Sequence, residues 1–263
     1  MNPLARHFAG DPLRGAYNLD GLDTVVLTTD IDWAPDYATN AVLELVADAG
    51  MRITAFATHD SPLLKASTDF VEIGLHPDNT RPHPQHGFSR KILDLLDIFP
   101  GVVGLRCHRN FFGQNISDLA RAAGLTYDIS TFLWRQPFAQ GYVDYNGIVK
   151  LAYVWEDGIH VDVGEALELE RVGLDQPGLK ILNVHPMLIY LNAPTDQLRR
   201  SLCRGIGDLT TAPEAHFRDR IHQGYGLRDF YRDLLAEMRR RKVRTLFARD
   251  LAALALPNTV KGS

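Results

Sequence analysis

Several features that would assign this 263-residue chain to a common class are scarce or missing. It has 2 cysteines and no CxxC pair, so neither a disulfide framework nor a thiolate zinc site is expected. No apolar run approaches the roughly 20 residues of a membrane span, and the N-terminal residues lack the apolar core of a signal peptide. We therefore expect a cytoplasmic protein with reduced cysteines and no membrane partner.

An excess of basic charge is also missing. The formal net charge is -4, and the one basic run, residues 239–242, closes a predicted helix, where it favours the helix dipole. Without a basic surface, the sequence predicts no nucleic-acid partner.

Apolar strands and amphipathic helices alternate along most of the chain. The patterns predict strands over 24–33, 53–58, 71–76, 102–107, 125–130, 148–155, 159–163, 179–185 and 243–248, and helices over about 36–49, 88–98, 115–123, 195–206 and 227–241. Asp157-Gly158 is a hairpin signal and predicts an antiparallel pair between 148–155 and 159–163.

This alternation predicts an α/β fold with a parallel sheet, and the length favours closure of that sheet into one barrel. We expect an N-terminal extension over 1–23, a single barrel domain over 24–252 and a C-terminal tail over 253–263.

The end of the first strand carries two carboxylates, Asp30 and Asp32, separated by Ile31. In a strand, alternate side chains share a face, so both carboxylates are expected to point the same way. Two carboxylates at such a short distance repel each other, and they are tolerated when a cation lies between them or when one of them titrates for catalysis. Alone, the pair is also compatible with two solvated side chains in a turn.

Three more strand ends carry ionisable groups. His76 ends the strand over 71–76, Arg106 and His108 share a face after 102–107, and His185 ends the strand over 179–185. Because ligands bind at the carboxyl ends of parallel strands, we expect these groups to converge in one cleft. The irregular stretch 77–89 adds His83 and His86 as further candidates.

With these residues assembled, the chain resembles the NodB-type polysaccharide deacetylases, a family of metal-dependent carbohydrate esterases. It is most similar to a divergent, WbmS-like bacterial subgroup associated with surface-polysaccharide gene clusters. The segments that carry the resemblance are Thr28–Asp32, Glu72–Pro77, Arg106, Asp128, and His185–Asn192 with the preceding Asn183 and Val184.

Two departures from the family pattern stand out. Most members have adjacent aspartates where this chain has Ile31 between Asp30 and Asp32, and Thr80 occupies the position of the family's second histidine. The third metal ligand is therefore open.

The resemblance implies a distorted (β/α)7 barrel that removes N-acetyl, sometimes O-acetyl, groups from sugars. The partner would be a small-molecule or carbohydrate substrate, and a homo-oligomer is compatible with the sequence. A non-sugar amide or formamide as substrate, or a degenerate carbohydrate-binding barrel without turnover, are the alternatives.

Hydrolytic metal sites usually have three protein ligands and an open position for water. We assign Asp32, His76 and His86 as these ligands. His86 is preferred to His83, which lies between two prolines, and His108 and His59 remain open. Zn²⁺ is the default ion for this ligand set, and Ni²⁺, Co²⁺ or Mn²⁺ are alternatives.

By the same resemblance, Asp30 is the expected general base, oriented by Arg106. His185 is the expected general acid, and Asp128 is the candidate to orient it. His108, Trp33 and Trp134 are candidates for contacts with the substrate, although aromatic side chains at such positions more often pack into the protein.

Overall fold

The structure, a computed structural model, describes residues 24–78 and 87–255. Its strands are β1 (Thr24–Asp30), β2 (Ile53–Ala57), β3 (Val71–Leu75), β4 (Gly104–Leu105), β5 (Tyr127–Phe132), β6 (Tyr142–Val143), β7 (Val149–Tyr153), β8 (Trp155–Glu156), β9 (Ile181–Val184) and β10 (Arg244–Thr245). Its α-helices are α1 (Asp36–Asp48), α2 (Pro62–Ala66), α3 (Gly87–Ile98), α4 (Gln114–Ala122), α5 (Asp157–Asp162), α6 (Pro186–Tyr190), α7 (Asp196–Cys203), α8 (Ala215–Arg218), α9 (Leu227–Arg240) and α10 (Ala248–Ala255).

The strands form one sheet in the order β6-β7-β5-β4-β3-β2-β1-β9-β8, and β10 pairs with β1. All strand pairs are parallel except β6 with β7. The predicted α/β architecture is confirmed. Residues of β1 and β2 are almost wholly buried, as expected for strands covered by helices on one side and barrel contents on the other.

The two ends of the parallel part of the sheet, β7 and β8, are joined by one continuous stretch of chain. β7 pairs with β5 and β8 pairs with β9, and only Val154 separates β7 from β8. The amide of Val154 donates a hydrogen bond to the carbonyl of Ile181 at 2.9 Å. Residues 149–156 therefore lie between β5 and β9 and bring the ends of the sheet together, which is the arrangement of a distorted barrel.

The amino-terminal ends of the strands are closed by α10 around a buried carboxylate. Glu72 is 2% exposed and accepts hydrogen bonds from Thr54 Oγ1 at 2.7 Å, Tyr127 Oη at 2.8 Å and the Arg249 amide at 3.2 Å. Burial raises the pKa of Glu72. This glutamate of the Glu72–Pro77 segment thus joins three strands to the first turn of α10.

The predicted hairpin around Asp157-Gly158 is wrong. Residues 155–156 form a strand parallel to β9, and Asp157 begins helix α5. Asp157 is the first residue of this helix, where an acidic side chain favours the helix dipole. In the described part of the chain, no helix is long and apolar enough to cross a membrane.

Candidate metal centre and catalytic cleft

The ionisable side chains predicted from four strand ends meet in one cleft at the carboxyl ends of the strands. Asp32 follows β1, His76 follows β3, and His185 follows β9. His108 begins a 3₁₀ turn, His108–Asn110, after β4. The structure therefore brings these four residues together as expected for a parallel sheet.

Asp32 reaches the cleft by a turn and not by strand alternation. The strand ends at Asp30, and Asp32 and Trp33 have left-handed φ values of 43° and 57°. The Ala34 amide closes the turn on the carbonyl of Ile31 at 2.6 Å. Such backbone is uncommon outside glycine and is often found at functional sites.

Three potential ligand atoms lie at nearly equal distances from one another. Asp32 Oδ1 is 3.2 Å from His76 Nε2 and 3.3 Å from His108 Nδ1, and the two nitrogens are 3.3 Å apart. Ligands at typical zinc distances and tetrahedral angles are separated by roughly 3.4 Å. The spacing fits one divalent cation held by Asp32, His76 and His108.

The hydrogen bonding around these atoms also fits a cation. His76 Nδ1 donates to the carbonyl of Arg106 at 2.7 Å, which leaves the lone pair of Nε2 pointing toward Asp32. Asp32 Oδ1 is buried, and no group of the described residues donates to it in hydrogen-bond geometry. A carbonyl behind a metal-binding histidine is a common way to fix the ring orientation.

Electrostatics favour positive charge at the same point. Burial opposes ionisation of Asp32, yet the neighbouring His108 and His76 lower its pKa well below the usual value. Likewise, burial opposes protonation of His76, but the charges of Asp30 and Asp32 raise its pKa. A bound proton or a metal ion satisfies this demand for positive charge.

Among the described residues, His108 is the histidine that fits as the third ligand beside Asp32 and His76. His83, His86 and Thr80 lie outside residues 24–78 and 87–255, and His86 as a ligand stays a prediction. His59 contacts Thr58 Oγ1 at 2.9 Å and is not part of the ligand cluster.

Asp30 is held by two donors on one side of the centre. It is 5% exposed and accepts hydrogen bonds from Arg106 Nη1 at 2.9 Å and from Asn183 Nδ2 at 3.0 Å. The Arg106 guanidinium lies between the rings of Phe56 and Tyr153, with its Cζ atom 4.6 and 4.3 Å from their centroids. This packing prevents the arginine from turning away from Asp30.

Gly74 is what allows Phe56 to support Arg106. A Cβ atom at position 74 would lie 2.5 Å from two atoms of the Phe56 ring, so a larger residue there would displace the ring. The glycine of the Glu72–Pro77 segment therefore serves the packing beneath the site.

His185 is oriented by Asp157 and not by Asp128. Its Nδ1 donates to Asp157 Oδ1 at 2.6 Å and its amide donates to Asp157 Oδ2 at 2.8 Å. Burial opposes protonation of His185, but the charge of Asp157 and this hydrogen bond raise its pKa well above the usual value. His185 Nε2 then faces the cleft, 4.0 Å from Asp32 Oδ2.

The expectation that Asp128 orients His185 is wrong. Asp128 Oδ2 pairs with Lys150 Nζ at 2.9 Å, and Asp128 Oδ1 accepts from Ser130 Oγ at 2.5 Å. Both charged residues are buried on the β5–β7 pair, where they compensate each other.

The cleft has two connected parts. An inner lobe of about 260 Å³ lies around Asp30, His76, Tyr153 and Glu156. An outer lobe of about 730 Å³ extends from Asp32 and His185 toward α7. Asp32, His108, Arg109, Glu156, Ile159 and His185 line both lobes.

The aromatic candidates differ in position. Trp33 lines the outer lobe and packs edge-on against His108, with the ring centroids 5.0 Å apart. Trp134 packs against Phe132 and His160 and lines neither lobe. Of the two tryptophans, Trp33 is the one placed to contact a ligand in the cleft.

Sequence reasoning gave no role to five polar residues in or behind the cleft wall: Asn110, Tyr153, Glu156, Asp157 and Asn183. Asn110 donates to Tyr153 Oη at 2.7 Å, and burial raises the pKa of Glu156 in the same wall. Asn183 was detectable, because it lies two residues before His185 on the same face of β9. Asp157 and Glu156 were hidden by the hairpin pattern.

The chain is similar to proteins of known structure. One similar crystal structure, from Bordetella bronchiseptica, is of a protein assigned to the polysaccharide deacetylases and to O-antigen biosynthesis. It is 26% identical over 81% of this chain and 90% of that one, with a TM-score of 0.71.

Two structures from Bacillus anthracis are more distant. One is a family 4 carbohydrate esterase, 12% identical over 94% of this chain and 92% of that one, with a TM-score of 0.47. The other is a pseudoenzyme of the same esterase family, 12% identical over 89% and 66%, with a TM-score of 0.47.

No curated protein sequence matches the chain. The profile of the WbmS-like polysaccharide deacetylases matches residues 27–200, a range that contains Asp30, Asp32, His76, Arg106 and His185. The chain therefore belongs to the WbmS-like family of polysaccharide deacetylases.

Proposed function

We propose that this protein is a divalent-metal-dependent hydrolase that removes an N-acetyl group from an amino sugar. The observation that carries the proposal is the arrangement around the Asp32–His76–His108 cluster. A carboxylate, Asp30, and an imidazole, His185, flank the cluster, and each is held by a buried partner of opposite charge.

When bound, the divalent ion would polarise the acetyl carbonyl and make water more acidic. Asp30 accepts the proton from the attacking water, because Arg106 and Asn183 fix its carboxylate while it still lines the inner lobe. Arg106 stays charged throughout, so it orients the base without competing for the proton.

His185 supplies the proton that the leaving amine needs. Asp157 occupies Nδ1, so the proton that can be transferred is the one on Nε2, at the cleft. The raised pKa of His185 keeps that proton available at neutral pH. A base and an acid held beside the same ligand cluster are suited to amide hydrolysis and have no purpose in a pure binding module.

The test is release of free amine and acetate from a panel of N-acetylated sugars by the metal-loaded protein. We expect at least one sugar to be deacetylated, with the activity lost on chelation and restored by adding metal back. Metal-loaded Asp30→Asn protein serves as the control.

Tight metal binding with no amine release from any sugar, but with release from a non-sugar amide, would move the function to that substrate class. No metal binding and no release from either class would favour a degenerate barrel.

A further inference from the structure

Two arginines from different elements reach the outer lobe of the cleft. Arg109 lies in the 3₁₀ turn after β4 and lines both lobes, and Arg199 lies on α7 and lines the outer lobe. Neither takes part in the chemistry proposed above.

Arg199 is pre-oriented by a buried carboxylate. Asp196 is 4% exposed, and its Oδ1 accepts from Arg199 Nε at 2.5 Å. Because Asp196 occupies Nε, the two terminal nitrogens of Arg199 remain available to a ligand, and no described residue accepts a hydrogen bond from them. Arg200 differs, because its Nε also contacts Asp196 while its Nη2 binds Asp162 at 2.9 Å.

Arg109 is held at the rim by its backbone. Arg109 and Asn110 have left-handed φ values of 56° and 54°, and Asn110 Nδ2 fixes this turn by its bond to Tyr153 Oη at 2.7 Å. Within residues 24–78 and 87–255, Arg109 has no ion-pair partner. Two strained residues in succession that present an unpaired guanidinium to a cleft are typical of a functional site.

The charge balance of the cleft points the same way. Asp30 is matched by Arg106, Asp157 by His185, and Asp162 and Asp196 by the two arginines of α7. Even when the carboxylate of Glu156, which lines both lobes, is counted, a divalent ion on Asp32 together with Arg109 leaves the cleft positively charged in a chain whose formal net charge is -4. A cleft of this charge concentrates anionic substrates.

The size of the outer lobe leaves room for more than the acetylated ring. Its volume of about 730 Å³ lies within the range of about 300–1,000 Å³ of pockets that enclose drug-sized ligands. A substrate group beyond the reacting sugar can therefore reach α7.

We propose that the amino-sugar substrate carries an anionic group, a carboxylate or a phosphate, that binds between Arg109 and Arg199 in the outer lobe. The inference rests on the proposed function for the sugar. The planar guanidinium fork matches the oxygens of either group and binds it with charge-assisted hydrogen bonds.

The experiment measures binding to the metal-loaded protein by calorimetry, and amine release, with four probes. These are N-acetylglucosamine, N-acetylglucosaminuronic acid, N-acetylglucosamine 1-phosphate and UDP-N-acetylglucosamine. We expect at least one anionic probe to bind about tenfold or more tightly than the neutral sugar, which is the effect of one charge-assisted bond. Preference for the uronic acid identifies a carboxylate, and preference for either phosphorylated sugar identifies a phosphate.

Two variants assign that preference to the arginines. Arg109→Gln and Arg199→Gln should each weaken the anionic probe about tenfold and leave the neutral sugar unchanged. Arg121→Gln removes the same charge from an exposed position on α4 outside the cleft lining and should change neither. Thermal melting of each variant checks that it is folded.

The outcomes separate this inference from the proposed function. Equal binding of neutral and anionic probes, or no binding of any probe, overturns anion recognition by Arg109 and Arg199. So does a preference for the anionic probe that survives when Arg109→Gln and Arg199→Gln are combined in one variant. The last result would place the anion on the metal. An arginine-dependent preference without amine release from any probe overturns the deacetylase proposal and leaves the anion site standing.

Discussion

Asp30 and Asp32 are close in sequence but have different surroundings, because the chain turns between them. Asp30 ends β1 and is surrounded by the donors Arg106 and Asn183, whereas Asp32 lies in a left-handed turn facing two imidazoles. A carboxylate with two donors is held in one orientation, and a carboxylate with none is suited to a cation.

Replacing Asp30 tests this division of roles. Asp30→Asn should keep the metal and lower turnover by about 10² to 10⁴, because an amide cannot accept a proton. Metal content by atomic absorption and amine release are measured on one preparation, with Asp32→Asn as the partner variant that should lose metal. Near-normal turnover by Asp30→Asn would remove Asp30 as the base.

The assignment of Asp157 as the partner of His185 can be tested through the leaving group. Asp157→Asn should lower hydrolysis of an N-acetyl amine by about 10² or more, because His185 loses its orienting charge. Hydrolysis of an activated aryl acetate, whose leaving group needs no proton, should fall much less.

Asp128→Asn is the comparison for that experiment. Since Asp128 pairs with Lys150, this substitution should change the free energy of unfolding. It should leave the ratio of amide to aryl acetate hydrolysis as in the wild type. Equal loss on both substrates in Asp157→Asn, or an altered ratio in Asp128→Asn, would contradict the assignment.

Helix α5 carries Asp157 and is anchored by a neutral histidine. His160 is fully buried, accepts a hydrogen bond from Trp155 Nε1 at 3.0 Å and donates one from Nε2 to the Ala166 carbonyl at 2.8 Å. A protonated ring could not accept the bond from Trp155. Consistent with this, burial lowers the pKa of His160.

A lowered pKa in the folded protein makes stability depend on pH. The unfolded chain binds a proton at position 160 before the folded protein does, so this contribution is present above the usual histidine pKa and is lost as pH falls below it. His160→Gln has a donor and an acceptor but does not titrate, and should lower stability at pH 7.5 by about 1–3 kcal/mol.

Urea unfolding at pH 7.5 and 5.5 measures both effects. The wild type should lose more free energy of unfolding over this interval than His160→Gln does. An equal loss in the two proteins would mean that His160 already binds its proton in the folded state.

The regular strands were predictable, and the short elements near the site were not. The strands that deliver Asp30, His76 and His185 have 7, 5 and 4 residues and are mostly apolar, which is enough for a recognisable strand pattern. β4 contains only Gly104 and Leu105, too few for a pattern, and α5 was obscured by Asp157-Gly158, which is equally a turn signal and a helix start. Arg199 could not be foreseen, since a helical arginine becomes part of the cleft only through tertiary packing.

The barrel as a whole has the cleft at one end and a stabilising hydrogen-bond cluster at the other. The cleft occupies the carboxyl ends of the strands, while Glu72, Thr54 and Tyr127 fasten α10 across the amino ends. This separation predicts that changes at one end leave the other intact.

Glu72→Ala tests the stabilising end. It leaves three buried donors without their acceptor, and we expect a loss of about 2–5 kcal/mol in the free energy of unfolding. The metal affinity of the folded protein should be unchanged. Glu44→Ala, at an exposed position of α1, should cost less than about 0.5 kcal/mol. Similar stability of the two variants would show that Glu72 does not fasten α10.

We propose above all that Asp32, His76 and His108 together hold a divalent ion beside Asp30 and His185. Anomalous diffraction at the absorption edge of zinc, from crystals of the zinc-loaded protein, is the decisive measurement. We expect one strong peak in bonding contact with Asp32 Oδ1, His76 Nε2 and His108 Nδ1. A peak elsewhere, a peak bound by a loop histidine in place of His108, or no peak in the cleft would contradict it.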